Sequence, residues 1–392
     1  MPMPPLLIIV QDCETQFDAP LYAYLEQQGG LALQVYYTQT LAGATGPVDP
    51  EIGQAPRWDH LCDVQYSYVH FPAHDLRGAI ALSREIVARR PTHVIVSGYF
   101  PPSHLWLALL LRRAGLAIGL RSDNTLEHSR FQGLKGLVKR LVLPRILRRY
   151  HTWHPVGSAA ELYLEAIART RRPLFRFPYA PDNDWFARES APWRAQRSDW
   201  RLAQGWGTDD FVVLGVLKWH PREDPLTLVR AFIDLRRAFP AARLVLVGDG
   251  PLRDEIESAL MMHREAVHLP GYVSYRDLPC WYGVADVFVH PARSEPWGVS
   301  VNEAMACGLP VIASDGVGAR HDLIEVGVTG DVYPVGDVQG LAERLAAWAS
   351  APERRAAMGR AARAKVADWG YAGTREAMLD ALAHSFPSGI TP

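Results

Sequence analysis

Short apolar runs alternate along most of the chain with longer stretches of helical periodicity, and this alternation constrains the fold more than any other feature. Leu6–Val10, Val35–Tyr37, His93–Val96 and Ile118–Arg121 are such runs in the first half, and Phe211–Gly215, Arg243–Val247, Ala266–Leu269, Val287–His290 and Val311–Ser314 in the second. A strand that faces water on one side alternates polar and apolar residues; a continuously apolar one is buried on both faces. Between the runs, Asp224–Phe239 and Leu252–His263 repeat apolar residues at intervals of three and four, as a helix covering a sheet does. The pattern predicts an α/β chain of β-α-β units with parallel sheets. A stretch from Pro178 to Ser198 carries three prolines and no sustained periodicity, and it reads as a linker. It divides the chain into an N-terminal domain over 1–185 and a C-terminal domain over 200–370, with a helix and tail over 371–392. Ligands of open parallel sheets bind beyond the carboxyl ends of the strands, so the site is expected in a cleft between the two domains.

With 48% hydrophobic residues in 392 and a formal net charge of -1, the chain is not disordered. Its 41 basic and 42 acidic side chains give no global attraction to nucleic acid, and no nucleic-acid partner is expected. Cys13, Cys62, Cys280 and Cys307 are scattered without a C-x-x-C pair, which fits a reduced cytoplasmic protein. The N-terminal run Leu6–Val10 is strand length and lacks a basic flank and a cleavage site, so it is not read as a signal peptide. Leu105–Leu111 stops at Arg112 and Arg113, short of the ~20 residues a spanning helix needs. Ala356–Ala367 is rich in alanine and arginine at helical spacing.

The segment Ser294–Ser314, S-E-P-W-G-V-S-V-N-E-A-M-A-C-G-L-P-V-I-A-S, carries the most chemistry. A loop after Val287–His290 holds Glu295, a helix is expected to begin near Trp297 or Gly298, and Glu303 falls inside it. At ~1.5 Å per helical residue plus the loop, the carboxylates are on the order of 10 Å apart. That is too far to share a proton, and it suits hydroxyl groups at the two ends of one extended ligand. Between them lie amides at a helix N-terminus, which bind phosphate. A sugar nucleotide is one of several ligands with this layout, and on the spacing alone Glu303 also reads as part of a solvated helix face.

These strings resemble the signature of retaining family-four glycosyltransferases of the GT-B fold, with Glu295 and Glu303 matching the two ends of its E-x-x-x-x-x-x-x-E motif. L-V-L-V-G-D-G-P-L-R, H-L-P-G-Y-V and V-T-G-D-V-Y-P-V-G-D are similar to the family too. The resemblance is close over about Phe211 to Trp348 and only in outline before that. It implies two Rossmann-like domains and transfer of a sugar from a nucleoside diphosphate sugar, UDP- or GDP-type, to a hydroxyl of a glycan or lipid-linked glycan. Glu295 with the amides of Trp297, Gly298 and Val299 would hold the donor sugar, and Glu303 the ribose. Gly248, Asp249 and Gly250 would line the nucleotide pocket, with Gly271, Tyr272 and Val273 near the base. Positive charge is needed where the diphosphate leaves. Lys218 fills the family's first cationic place, whereas Glu223 stands in the second with Arg222 beside it, and Lys218 and Arg222 together are expected to act there. The family's proposed mechanism has the leaving phosphate help deprotonate the acceptor, so neither a protein nucleophile nor a metal or other cofactor is implied.

Many members place a histidine near the anomeric centre, where this chain reads G-L-R-S-D-N. Arg121, Ser122 and Asp123 are therefore candidates on the acceptor side. Asp123 is the natural base or else makes an Asx-type turn or helix cap before Leu126, His128 is a further candidate for the place of the missing histidine, and Gln11 and Asp12 lie in the first loop. The final helix is expected to cross back to the first domain. From Gly133 to Tyr150, Leu134, Leu137, Val138, Leu141 and Val142 share a helical face beside Lys135, Lys139 and Arg140, with no acidic residue between Glu127 and Glu161. Such a stretch suits an anionic membrane surface, here the inner face, or else covers a core with a solvated basic edge. Competing readings are a catalytically degenerate sugar-nucleotide-binding subunit, suggested by Glu223 and the missing histidine, and a sugar-nucleotide epimerase of the same fold.

Overall fold

A computed structural model describes residues 4–39, 51, 63–129 and 133–385, with Leu134 and Lys135 described in backbone only. Cys62 lies outside the described residues. The chain divides into two units. The first takes Met1–Gly43, Leu61–Ala180 and Tyr371–Pro392, and the second takes Ala44–His60 and Pro181–Gly370.

In the first unit, β1 (Leu6–Gln11), β2 (Ala32–Tyr37), β3 (Tyr68–His70), β4 (His93–Ser97), β5 (Ile118–Ser122) and β6 (Thr152–Pro155) form a sheet in the order β3-β2-β1-β4-β5-β6. All its pairings are parallel, and Ile9 lies opposite both Val35 and Ile95. One face packs through Ile8, Val10, Val94 and Val96 on the helices Leu76–Ala88 and Pro102–Arg113. The other packs through Leu7, Ile9 and Ile95 on Leu21 and Leu25, and on Met378 and Leu382 of the helix Tyr371–Ser385. Each fully buried side chain of this kind stabilises by roughly 1.5–3 kcal/mol.

In the second unit, β7 (Phe211–Val216), β8 (Ala242–Val247), β9 (Val267–Gly271), β10 (Val287–His290), β11 (Val311–Ser314) and β12 (Gly330–Tyr333) form a second parallel sheet, in the order β12-β11-β10-β7-β8-β9. The helices Pro225–Ala238 and Val338–Ala349 cover one face, burying Leu228, Phe232, Leu341 and Leu345. Among the described residues, no helix is long and apolar enough to cross a membrane.

Pro178–Ser198 is not a structureless linker. It holds most of the helix Asn183–Ala195 and leads into Arg197–Ala203. The Asp182 carboxylate caps the first of these by accepting from the Trp185 amide at 2.9 Å, and Phe186, Ala187 and Ser190 face inward. Pro192 interrupts the sequence pattern yet sits within this helix near its end. The expected helix Leu252–His263 is shorter, Arg253–Leu260, followed by a tighter 3-10 turn over Met261–Ala266.

Candidate functional site

The expected donor residues of the second unit lie where its strands end. After β7, Leu217 donates its amide to Val247 O and Trp219 to Asp249 O, so the loop beginning at Leu217 runs against the end of β8. That approach requires Gly248 and Gly250. A Cβ on Gly248 would stand 1.9 Å from Leu217 O, and one on Gly250 would stand 2.6 Å from Trp219 O. The Gly248 amide donates to Gly271 O at the end of β9. Tyr272 is exposed and Val273 half-buried beside it. The Asp249 carboxylate is held by Arg253 at 2.7 Å and accepts from the Gly250 amide. These bonds, led by that of Arg253, lower its pKa.

Arg222 is the hub. Its Nη1 donates to Glu295 Oε2 at 2.6 Å and to Ser294 O, and its Nη2 to Glu223 Oε1 at 2.9 Å. Nε and Nη2 together grip both oxygens of Glu51, at 2.7 and 3.0 Å, while Lys218 Nζ reaches Glu51 Oε2 at 2.8 Å. Hydrogen bonds from Arg222 and then Lys218 outweigh desolvation and hold the Glu51 pKa down to about 2. Glu223 is not turned toward a phosphate site as a repulsive charge. It is 6% exposed, and it accepts from the Lys218 amide at 3.0 Å as well as from Arg222. Burial first, and then Glu295, raises its pKa to about 7 against the pull of Arg222. Glu223 thus shapes the loop that presents Lys218 and Arg222.

Glu295 lies in the loop after β10, whose backbone is paired with the loop after β11. The Glu295 amide donates to Gly316 O, and the Gly318 amide donates to Glu295 O. A Cβ on Gly318 would come 1.9 Å from Pro296 O, so the pairing requires glycine there. The helix starts at Val299 and runs to Ala306, with Gly298 capping it at φ 97°. The Trp297 indole is buried, donating to Asn302 Oδ1 at 2.9 Å, which leaves its backbone as the part available to a ligand. Glu303 is 3% exposed and accepts from the Tyr282 hydroxyl at 2.7 Å. Burial raises its pKa to about 7.

The acceptor-side candidates of the first unit divide. Arg121 and Gln11 are both buried and bonded within the first unit. Arg121 is 3% exposed, ion-paired with the buried Asp18 at 2.9 Å, bonded to Phe177 O and Pro178 O and stacked over Phe177. A buried guanidinium needs such partners, and these use the charge internally. Gln11 spends its amide on Asp18 and Tyr22. Ser122 is buried and accepts from Asn124. Asp123 is half-buried, accepts from the Tyr179 hydroxyl at 3.0 Å and remains open on one side. Asp12 is partly exposed beside His104 and Thr38. His128 pairs through Nδ1 with Thr125.

Sequence reasoning missed Glu51, which follows no motif and reaches Arg222 from 171 positions away. It also missed Gly316 and Gly318, although S-D-G-V-G-A after β11 is a legible glycine-rich turn.

A model of the family described as "Glycosyl transferases group 1" matches residues 196–365. A GDP-mannose-dependent alpha-(1-6)-phosphatidylinositol monomannoside mannosyltransferase of Mycolicibacterium smegmatis is 33% identical over 219 residues, 53% of this chain and only 56% of the relative's own length. The protein of the same name from Mycobacterium tuberculosis is 30% identical over 305 residues, 73% of this chain and 74% of its own. Among solved structures, Anabaena HepE in complex with UDP and glucose superposes with a TM-score of 0.70 at 16% identity, covering 97% of this chain and all of the other. With two six-stranded parallel sheets in an α/β chain, this likeness makes the architecture GT-B. The family model and the extended match to the tuberculosis protein agree: the chain belongs to the glycosyl transferases group 1 family.

Proposed function

We propose that the chain is a retaining glycosyltransferase that moves a sugar from a UDP- or GDP-linked donor to a hydroxyl of a glycan or lipid-linked glycan, as in polysaccharide or glycolipid assembly. The observation that carries this is the convergence of Lys218, Arg222 and Glu295 beyond the carboxyl ends of β7 and β10, inside the family match. Lys218 and Arg222 neutralise the diphosphate as the glycosidic bond breaks, which is where charge stabilisation lowers the barrier most. Glu295 and the backbone amides of Trp297, Gly298 and Val299 hold the sugar, and Glu303 holds the ribose. Asp123 is the acceptor-side group, with Asp12 and His128 beside the acceptor path.

The mycobacterial relatives are named for GDP-mannose and a phosphatidylinositol mannoside, which supports a lipid-linked acceptor. The helix Gly133–Leu147 supports a membrane surface, since Leu137, Val138, Leu141 and Val142 are about half exposed while Leu143 and Leu147 face the core. Exposed apolar side chains among Lys139, Arg140 and Arg145 match an anionic lipid face, and this placement is at the cytoplasmic side.

The test is release of UDP from UDP-glucose and of GDP from GDP-mannose. One donor should be hydrolysed slowly without acceptor, Glu295→Ala should abolish release, and Lys218→Ala should reduce it ~10²-fold, the scale of one lost charge-stabilising donor. Donor binding with no release on any acceptor pool would instead favour a binding subunit. Sugar interconversion without acceptor would favour an epimerase.

A further inference from the structure

The alanine- and arginine-rich helix Pro352–Ala367 has no part in the donor site, yet its arginines gather around a cavity of about 460 Å³ in the second unit. Arg355, Arg360 and Arg363 line it from this helix, Arg194 and Arg197 from the segment after Asp182, and Asp286 is the carboxylate among them. Asp286 precedes β10, and Gly308 and Pro310 lead into β11, so the cavity lies at the amino ends of these strands. Lys218 and Glu295 follow strands at the opposite, carboxyl edge of the sheet. The wall is held by backbone contact: a Cβ on Gly359 would stand 2.2 Å from Gly308 O.

The one carboxylate is already committed. Asp286 Oδ2 pairs with the buried Arg201 at 2.9 Å and accepts from the Val212 amide, and its Oδ1 has Arg197 at 3.6 Å. Arg194 spends Nη2 on Tyr282 O and Cys307 O, and Arg355 spends Nη1 on the carbonyls of Trp348 and Ala349. Among the described residues, Arg194, Arg355, Arg360 and Arg363 have no carboxylate partner. Burial first lowers the pKa of both Arg194 and Arg355, Arg197 and Arg201 adding to it and Asp286 opposing them. Guanidinium groups crowded around one committed carboxylate repel one another, and a further anion in their midst reverses the sign of that interaction. Guanidinium forks match phosphate oxygens bidentately. The volume falls within the roughly 300–1,000 Å³ of small-molecule sites.

We propose that this cavity is a second anion site, distinct from the donor site, that takes a phosphomonoester or diphosphate group. It is wired to the donor side through Arg194. That residue holds the carbonyl of Tyr282, whose hydroxyl seats Glu303, and the carbonyl of Cys307, which follows the helix carrying Glu303. An anion that draws on Arg194 therefore acts on both supports of Glu303. This coupling rests on the role proposed for Glu303; the binding itself does not.

Calorimetric titration of the full chain with inorganic pyrophosphate tests it. Two classes of site are expected, one displaced by UDP or GDP added only in the amount that fills the donor site and one not. Arg360→Ala with Arg363→Ala, both at exposed positions, should weaken only the undisplaced class by at least tenfold, while Lys218→Ala should weaken only the displaced class. Co-sedimentation with phosphatidylglycerol vesicles then separates the sources. Vesicle binding lost in the double arginine variant identifies a lipid headgroup, and vesicle binding unchanged identifies a soluble phosphate. A single nucleotide-displaced class, or a second class indifferent to the arginine variant, overturns the proposal, and it does so whether or not the chain transfers sugar.

Discussion

Glu51 occupies the two cations proposed to meet the donor diphosphate, so on that proposal its carboxylate and the ligand compete for Lys218 and Arg222. A charge-assisted hydrogen bond contributes roughly 1.5–3 kcal/mol, and removing this competitor should tighten donor binding about tenfold. Glu51→Gln is therefore expected to lower the donor dissociation constant measured by calorimetry, and weaker binding would show that Glu51 supports the ligand. Glu223 and Glu303 make a second prediction. Both keep a proton to about pH 7, whereas an unfolded glutamate loses it near 4.5. Between those values the folded state binds more protons, so their contribution is full below the window and is lost as pH rises through it. Glu51, held near 2, works the opposite way, and only below about 4.5. The urea midpoint of the second unit should accordingly fall from about pH 5 to 7, and Glu303→Gln should flatten part of that slope. Lys218, Arg222, Glu295 and Glu303 were legible because motif and strand ends place them. Glu51 was not, since nothing local marks a residue whose partners are so distant in sequence, nor was the pairing of Arg121 with Asp18, because a polar residue ending a strand looks the same whatever it faces.

Among the elements, the continuously apolar strands were legible, and β10 and β11 match their runs end to end. The strands that were missed lack that signature. β3 is short and mostly exposed, β6 reads T-W-H-P, and β12 pairs a glycine and an aspartate with two apolar residues. β6 is buried despite its polar letters because His154 finds Thr152 and His93 inside the sheet. In Gly133–Leu147 the periodicity showed an apolar face but could not say whether core or solvent lay beyond it. The structure puts Leu137 and Leu141 at 54% and 56% exposure. Leu137→Asp with Leu141→Asp should leave thermal stability within about 0.5 kcal/mol, as surface changes do, while sharply reducing co-sedimentation with anionic vesicles. Retained vesicle binding in that variant would remove the membrane role of this helix.

At the scale of the molecule, the first unit is built from separate stretches of chain, and the helix Tyr371–Ser385 fills one side of its core with Met378 and Leu382. Replacing a buried Met or Leu by Ala costs about 2–5 kcal/mol. Met378→Ala should therefore destabilise the first unit, seen as earlier exchange of the β1 and β4 amides, while β7 and β10 keep their protection. Two parallel-sheet units were legible from the alternation of runs. That one of them closes with a helix from beyond the other was expected from the resemblance alone, because no local pattern records which sheet a helix covers. The arrangement also sets an order of events at the ribosome. Chains usually complete their early domains first as they emerge, but here β1 leaves the tunnel early and waits, one flank covered by Leu21 and Leu25 but not yet by Met378 and Leu382, until residues 371–385 have been made. The second unit has by then been synthesised. The portion synthesised first is the last to be finished, and a chaperone would find the places of Met378 and Leu382 on this face unfilled for most of translation.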